Sequence, residues 1–131
     1  MSVDFNAIHV GEKYSRKILA EIWGHKSFHA IARGVFTPSG QDTIVLFITK
    51  FKQESTTQYK DDFDGQQLSM DGEENHKNDE RLANSLNNDQ VHLFYRERHH
   101  SDFEYCGEVF LKEAIIKTGE LPSRFVFVTG V

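Results

Sequence analysis

The chain has 131 residues, a net charge of −5 and a hydrophobic content of 38%, with eleven phenylalanines. These values fit one domain with a core of its own and exclude a disordered chain, which carries few aromatic residues. The single cysteine, Cys106, excludes an internal disulfide and fits a reducing compartment. Because the sequence has neither a secretion signal nor an apolar run long enough to span a bilayer, we expect one cytoplasmic domain over residues 1–131, without membrane contact. Its final strand-like segment suggests a domain cut from a longer protein.

The charge is distributed unevenly along the chain. Residues 51–80 carry nine acidic side chains against three lysines, whereas the rest of the chain carries twelve basic and eleven acidic side chains. Nucleic-acid backbones are bound by lysine and arginine, but one acidic segment on a balanced body does not forbid a basic face elsewhere. The charge therefore neither excludes nor supports a nucleic-acid partner.

The N-terminal part of the chain predicts one helix followed by two strands. Ser15 can cap a helix whose apolar residues recur at helical spacing as far as Trp23. The stretch "FHAIARGVF" at 28–36 predicts a strand, which the turn "TPSG" closes. The β-branched and aromatic run "DTIVLFITKF" at 42–51 is the strongest strand signal in the chain.

The rest of the chain predicts a polar excursion, a short helix and three further strands. The polar residues 52–80 hold one short strand around "QQLSM", and "DERLANSLNN" at 79–88 predicts a helix. Strands are predicted at 90–98, at its hairpin partner 103–111, and at 123–131. Roughly six strands and two short helices predict an α+β domain with a small curved β-sheet or β-barrel.

Catalytic and metal-binding patterns are missing from the sequence. The seven histidines include His25 and His29 at a spacing of four, yet no cysteine pair, HExxH motif or calcium loop completes a ligand set. Cys106 lies within a strand pattern, and neither a GxSxG motif nor a full phosphate loop occurs. We therefore predict a binding domain with no catalytic residue, metal or cofactor, whereas a tight cluster of histidines and carboxylates would indicate an enzyme.

The stretch "QYKDDFDG" at 58–65 has aromatic residues on both sides of a carboxylate. Tyr59 and Phe63 bracket Asp61, in the arrangement that an extruded nucleobase requires. An aromatic face stacks on a base, and a carboxylate accepts a hydrogen bond from the cytosine amine. The alternative is that both rings pin a long loop onto the core while the aspartates face water. The residues alone favour this alternative.

The order of motifs along residues 8–115 resembles the SRA-like domains of the PUA superfamily that belong to modification-dependent restriction enzymes. Such domains are attached to HNH endonucleases or to restriction helicases. "GEKYSR" is similar to their G-x-x-Y-x-R opening, "YKDDF" matches a Y-x-D-x-[FW] motif, and two later strands fit as well. The matching residues are Tyr14, Arg16, Tyr59, Asp61, Phe63, Leu93, Phe94, Phe103, Tyr105, Gly107 and Val109.

This resemblance implies a PUA/SRA-like fold that flips 5-methylcytosine or 5-hydroxymethylcytosine out of double-stranded DNA. Asp61 would read the base edge, and the pocket would be formed by Tyr59, Asp61, Phe63, Met70 and Tyr105. Relatives often carry tryptophan or tyrosine in place of Met70. Tyr14 and Arg16 belong to the opening motif. A nuclease that is fused or recruited would cut the DNA and so complete type IV restriction.

Contacts to the DNA backbone are predicted at Arg33, Lys50 and Lys52, because these residues flank the strands that lead to the aromatic motif. Two other interpretations remain, a PUA-like RNA-binding module and an acidic accessory protein that binds a basic protein or mimics DNA. A basic patch that also includes Arg96 and Arg98 around a concave aromatic pocket would favour DNA. An acidic surface without a pocket would favour the protein partner.

Overall fold

The chain folds as a small α+β domain built on one mixed sheet. A computed structural model describes residues 3–25, 27–31, 34–51, 61–73, 75–98 and 100–130. The strands are β1 (Lys13–Tyr14), β2 (Val35–Phe36), β3 (Thr43–Phe51), β4 (Asp62–Phe63), β5 (Gln67–Asp71), β6 (Gln90–Arg98), β7 (Phe103–Ile115) and β8 (Arg124–Thr129). The helices are α1 (Arg16–Ile22), α2 (Asp79–Ala83) and α3 (Ser85–Asn88), with a 3-10 turn at Phe28–Ile31. No helix of the described ranges has the length and apolar character needed to cross a membrane.

The strand order is β2-β3-β6-β7-β8-β5-β4, and β1 pairs with β7 outside this path. The β3–β6 ladder is parallel and the others are antiparallel. The sheet is rolled, because β4, the strand at one edge, contacts β3 and β6 near the opposite edge. The Lys50 ammonium of β3 lies 3.5 Å from the Asp62 carboxylate of β4, and the Phe63 and Tyr95 rings are 5.3 Å apart. Among the described strands no ladder joins β4 to β2 or β3, so the sheet remains open.

Each face of the sheet carries its own apolar cluster, as the alternation of side chains along a strand requires. The inner cluster lies inside the roll, between the sheet and α2. Its buried members are Val35, Ile44, Leu46, Ile48, Leu68, Met70, Leu82, Val91, Leu93, Val109, Phe125 and Phe127. The outer cluster joins the opposite face to α1 and the N-terminal segment. Its buried members are Val3, Ile8, Leu19, Ala20, Trp23, Ile31, Val45, Phe47, Phe94, Phe103 and Tyr105.

A β-bulge moves β7 from one cluster to the other. Leu93 pairs with Gly107 and Phe94 with Tyr105, so Cys106 is the extra residue. Gly107 has a φ of +88°, which favours glycine because it has no Cβ. As a result, Tyr105 packs in the outer cluster and Val109 in the inner cluster.

Several predicted elements are confirmed, one is wrong, and the helix predicted at 79–88 is divided at Asn84 into α2 and α3. The Ser15 hydroxyl accepts the Ile18 amide at 3.1 Å and so caps α1 as expected. The strands predicted at 42–51, 66–70, 90–98, 103–111 and 123–131 are present as β3, β5, β6, β7 and β8. The predicted strand at 28–36 is instead a 3-10 turn followed by the short β2. Its apolar residues do not alternate, since Phe28 is exposed while Ile31, three positions later, is fully buried.

Candidate functional site

A groove of about 680 Å³ opens beside the junction of β6 and β7. It lies against β1, the β4–β5 turn, the last residues of β6 and the start of β7. The described residues that line it are Lys13, Phe63, Gly65, Tyr95, Arg96, Glu97, Arg98, Ser101, Asp102, Glu104 and Cys106. The rolling of the sheet produces this groove, because it brings the β4–β5 hairpin against β6.

Two aromatic rings form the apolar part of the groove. Phe63 meets Tyr95 edge to face, with their ring centroids 5.3 Å apart and an interplanar angle of 64°. Both rings are half-buried and pack against the inner cluster. Burial raises the pKa of Tyr95, and the Asp62 and Glu97 carboxylates raise it further. The Tyr95 hydroxyl is therefore protonated at neutral pH and can donate a hydrogen bond.

Three cations and three carboxylates surround these rings. Lys13 and Arg98 are exposed, whereas Arg96 is held by neighbours. The Arg96 guanidinium donates to the Thr49 hydroxyl at 2.8 Å and to the Ser101 carbonyl at 3.0 Å, and lies 4.2 Å from the centre of the Phe103 ring. Glu97, Asp102 and Glu104 balance the three cations. The cations of the groove can therefore donate hydrogen bonds to phosphates, and its carboxylates can accept hydrogen bonds from amines.

The described residues of the predicted base pocket do not form one site. Phe63 lines the groove, and the Asp61 carboxylate accepts the Asp71 backbone amide at 3.0 Å, which holds the β4–β5 hairpin together. Met70 is 1% exposed in the inner cluster, and Tyr105 is 5% exposed in the outer cluster. The structure therefore places Met70 and Tyr105 on opposite faces of the sheet and does not bring them together. Tyr59 lies outside the described residues.

Tyr105 instead anchors the N-terminal segment of the chain. Its hydroxyl lies 2.7 Å from His92 Nδ1, and the His92 ring stacks on Phe5 with centroids 3.7 Å apart. Burial lowers the pKa of His92 to about 4, so this imidazole is neutral near pH 7. The contacts tie the segment before β1 to the outer face of the sheet.

Of the predicted backbone contacts, only Lys50 falls within the described ranges, since Arg33 and Lys52 lie outside them. The Lys50 side chain is 40% exposed and lies 3.5 Å from the Asp62 carboxylate. An exposed ion pair of this kind is weak, so a phosphate can compete for the ammonium group.

The opening motif contributes packing contacts to the outer cluster. The Tyr14 hydroxyl accepts the His9 backbone amide at 2.9 Å, and the Tyr14 ring meets Phe94 edge-on. The Arg16 guanidinium lies between the Phe47 and Phe103 rings, 5.0 and 4.9 Å from their centres, and donates to a backbone carbonyl. These contacts explain why an aromatic residue and an arginine stand at these two positions.

Many carboxylates of the acidic segment are engaged within the domain. Asp64 accepts the amides of Gln66 and Gln67, chiefly the latter, and these hydrogen bonds lower the pKa of Asp64. The other intramolecular pairs are Asp61 with the Asp71 amide, Asp62 with Lys50, Asp71 with Arg124, Glu73 with Asn78, and Asp79 with His76 and Ser123. Much of the acidic segment therefore stabilises the β4–β5 hairpin and the start of α2.

A hydrogen-bonded cluster connects α2 to the loop between β7 and β8. Asp79 Oδ2 lies 2.6 Å from His76 Nδ1 and accepts the Ser123 hydroxyl at 2.6 Å. His76 Nε2 lies 2.8 Å from the Gly119 carbonyl oxygen. Since both ring nitrogens face acceptors, the imidazolium fits this site best. The serine contacts the aspartate instead of the histidine, so the cluster is no nucleophile–base pair. Within the described ranges, no three His, Cys, Asp or Glu side chains form a metal-binding group.

This cluster predicts a pH dependence of folding stability. The Asp79 hydrogen bond and then the Gly119 carbonyl raise the pKa of His76. A raised folded-state pKa gives stability that is fully present below the unfolded value of about 6.5 and is lost as pH rises through the folded value. We expect His76→Asn, which tolerates the φ of +57° at this position, to remove this part of the pH dependence.

Urea unfolding of the wild type and the variant at several pH values above and below about 6.5 measures the difference. The exposed His29→Asn variant serves as the control and should keep the wild-type profile. Equal slopes of stability against pH for His76→Asn and the wild type would contradict the prediction.

Comparison with known proteins identifies a family without an assigned function. No curated protein matches the chain. The family described as "Domain of unknown function (DUF3427)" matches residues 8–124, a range that includes every described residue of the groove. The chain therefore belongs to the DUF3427 family.

Proposed function

We propose that this chain reads DNA that carries 5-methylcytosine or 5-hydroxymethylcytosine, and that the groove takes up the flipped base. In this proposal the rolled sheet is an SRA-like fold of the PUA superfamily, working in the cytoplasm. The chain is a binding domain, and a fused or recruited nuclease performs restriction.

The aromatic pair between exposed cations is the observation that carries the proposal. Phe63 and Tyr95 meet at 5.3 Å in a groove of about 680 Å³, with Lys13 and Arg98 exposed at its rim. Such a volume is ordinary for a site that encloses a small ligand. Aromatic faces bind bases of any sequence, and lysine or arginine positions the phosphates. This combination suits a nucleotide better than a protein segment.

The carboxylates of the groove give the proposal a group that can read the base. Cytosine presents its N4 amine as a donor, and Glu or Asp is its natural acceptor. Asp102 and Glu104 line the groove, whereas Asp61 holds the Asp71 amide. We therefore assign base-edge recognition to Asp102 or Glu104 in preference to Asp61. A 5-methyl group would contact Tyr95 and Phe63.

Binding to matched duplexes with one cytosine, 5-methylcytosine or 5-hydroxymethylcytosine tests the proposal. Salt must be held constant, because phosphate contacts make the affinity depend on it. We expect the wild type to prefer the methylated duplex by roughly fourfold, the value of one buried methyl group of about 0.8 kcal/mol. In Tyr95→Leu, which keeps an apolar side chain against the inner cluster, this preference should fall towards one.

Phe110→Ala is the matched control, because Phe110 is a partly exposed aromatic residue on β7 that is not among the described lining residues. It should retain the wild-type affinity and preference. Equal and negligible affinity of the wild type for all three duplexes would refute the proposal. Tighter binding to single-stranded RNA of the same sequence would favour the RNA-binding alternative.

The acidic accessory protein is less well supported by the contacts. That interpretation needs carboxylates presented to a partner, and many described carboxylates between residues 61 and 80 have partners within the domain. Titration with a lysine-rich peptide would distinguish the two interpretations. A DNA reader should bind this peptide no more tightly than the net charges of the protein and the peptide predict, whereas an acidic accessory protein should bind it more tightly.

A further inference from the structure

The carboxyl ends of β3 and β6 present an exposed aromatic ring between two cations. Phe51, the last residue of β3, is 53% exposed and pairs with Arg98 across the parallel ladder. The Lys50 ammonium lies 5.4 Å and the Arg98 guanidinium carbon 6.0 Å from the centre of the Phe51 ring. We call these three residues the Phe51 platform.

An exposed phenylalanine by itself needs no explanation, because much of any protein surface is apolar. Phe110 is 39% exposed, and no cation–π contact is found for its ring among the described residues. The Phe51 platform differs because two positive charges lie beside one open ring. Basic side chains next to an accessible aromatic face are the combination with which proteins bind single-stranded nucleic acid.

The two cations are held only weakly in their places. Their distances from the ring are near the outer limit of about 6 Å for cation–π attraction, which is worth about 0.5–1 kcal/mol at an exposed site. The Asp62 carboxylate lies 3.5 Å from Lys50, but both side chains are well exposed. A phosphate can therefore take both cations at little cost and leave the ring face to a base.

The platform adjoins the groove through a shared residue. Arg98 lines the groove and also approaches Phe51. Phe51 follows the outer face of β3, whereas Phe63 and Tyr95 belong to the inner side of the roll. A nucleic-acid strand with one base in the groove would thus place the neighbouring nucleotide beyond Arg98, close to Phe51.

We infer that the Phe51 platform is a second, sequence-independent contact site, which binds the nucleotide next to the recognised base. The base stacks on Phe51 and its phosphate lies between Lys50 and Arg98. This inference rests on the proposed function for the position of the first base. The platform itself has no group that distinguishes one base from another, so it adds affinity without selectivity.

Fluorescence anisotropy with three labelled probes tests this inference. The probes are a duplex with one 5-methylcytosine, the same duplex with cytosine, and a single-stranded oligothymidine. We expect Phe51→Ala to weaken the binding of oligothymidine by roughly tenfold, the value of one stacked base. It should weaken the binding of both duplexes by less, because the neighbouring base must first leave its own stack, and it should leave the methylated-to-unmethylated ratio unchanged. Arg98→Ala should reduce the slope of log affinity against log salt by about 1.

The controls separate this inference from the proposed function. Phe51→Trp should bind as tightly as the wild type or more tightly, and Phe110→Ala should match the wild type. Equal affinities of Phe51→Ala and the wild type for oligothymidine would overturn the inference, whatever the duplexes show. Failure of the wild type to bind oligothymidine would also overturn it. Loss of the methylation preference with the Phe51 effect intact would refute the proposed function alone. Thermal unfolding of each variant checks that the exposed substitution leaves the fold intact.

Discussion

Gly72→Ala is expected to lower the free energy of unfolding by about 2–3 kcal/mol, the upper part of the range for overpacked sites. A Cβ at Gly72 would lie 2.7 Å from Asp79 Oδ1 and 3.0 Å from Phe125 Cε2. Neither neighbour can move easily. Asp79 is bound to His76 and Ser123 through its other oxygen, and Phe125 is fully buried in the inner cluster. Urea unfolding followed through the fluorescence of Trp23 measures the loss.

Gly34→Ala is the matched control, because among the described residues a Cβ at Gly34 would meet only the Phe47 carbonyl oxygen, at an ordinary distance of 3.6 Å. Gly34→Ala should change the free energy of unfolding by close to zero. A second comparison isolates the contact with the carboxylate. In an Asp79→Ala background, Gly72→Ala should cost clearly less than in the wild type, because the nearest clash is gone. Equal costs in the two backgrounds would assign the strain to Phe125 instead.

Local patterns were enough to predict most of the strands and the first helix. The run at 42–51 alternates between two buried faces and is long enough to be a strand in any context. Ser15 caps α1 through its own side chain, a contact that depends on three neighbouring residues only. Such elements are predictable because the interactions that select them are close in sequence.

The pairing of strands was not predictable in the same way. The parallel ladder between β3 and β6 joins residues 43–51 to residues 90–98, and alternation of side chains says which face is buried but not which strand is adjacent. The bulge at Cys106 was likewise not predictable from the local sequence pattern. It shifts the register of β7 relative to β6, so the alternation that places Phe103 and Tyr105 in the outer cluster does not continue to Val109, which lies in the inner cluster.

The candidate site shows how this affects function. Phe63 was predicted and lines the groove, whereas Tyr95 was missed although it continues the inner face of β6 after Val91 and Leu93. That alternation was a signal for its burial. Its contact with Phe63 depends on the rolling of the sheet, which brings together residues 32 positions apart and has no local signature.

Arg16→Ala is expected to lower the free energy of unfolding by about 3 kcal/mol, as for other large side chains removed between packed rings. The Arg16 guanidinium fills the space between Phe47 and Phe103 and donates to the Ile31 carbonyl at 3.1 Å. Burial, and then repulsion from Arg96, lowers the pKa of Arg16 to about 10. The side chain is therefore charged at neutral pH, and its charge is a cost that packing and hydrogen bonding offset.

This balance predicts an order among three substitutions. Arg16→Met retains apolar contact with both rings and removes the buried charge, so it should cost only about 1 kcal/mol. Arg16→Lys keeps a charge that is costly to bury but has no planar group to lie between the rings, so it should cost about 2–3 kcal/mol. Arg98→Ala, at an exposed position, should change stability by less than about 0.5 kcal/mol. A lysine variant more stable than the methionine variant would mean that the charge itself stabilises the outer cluster, and that Arg16 acts as a cation between the rings more than as a packing group.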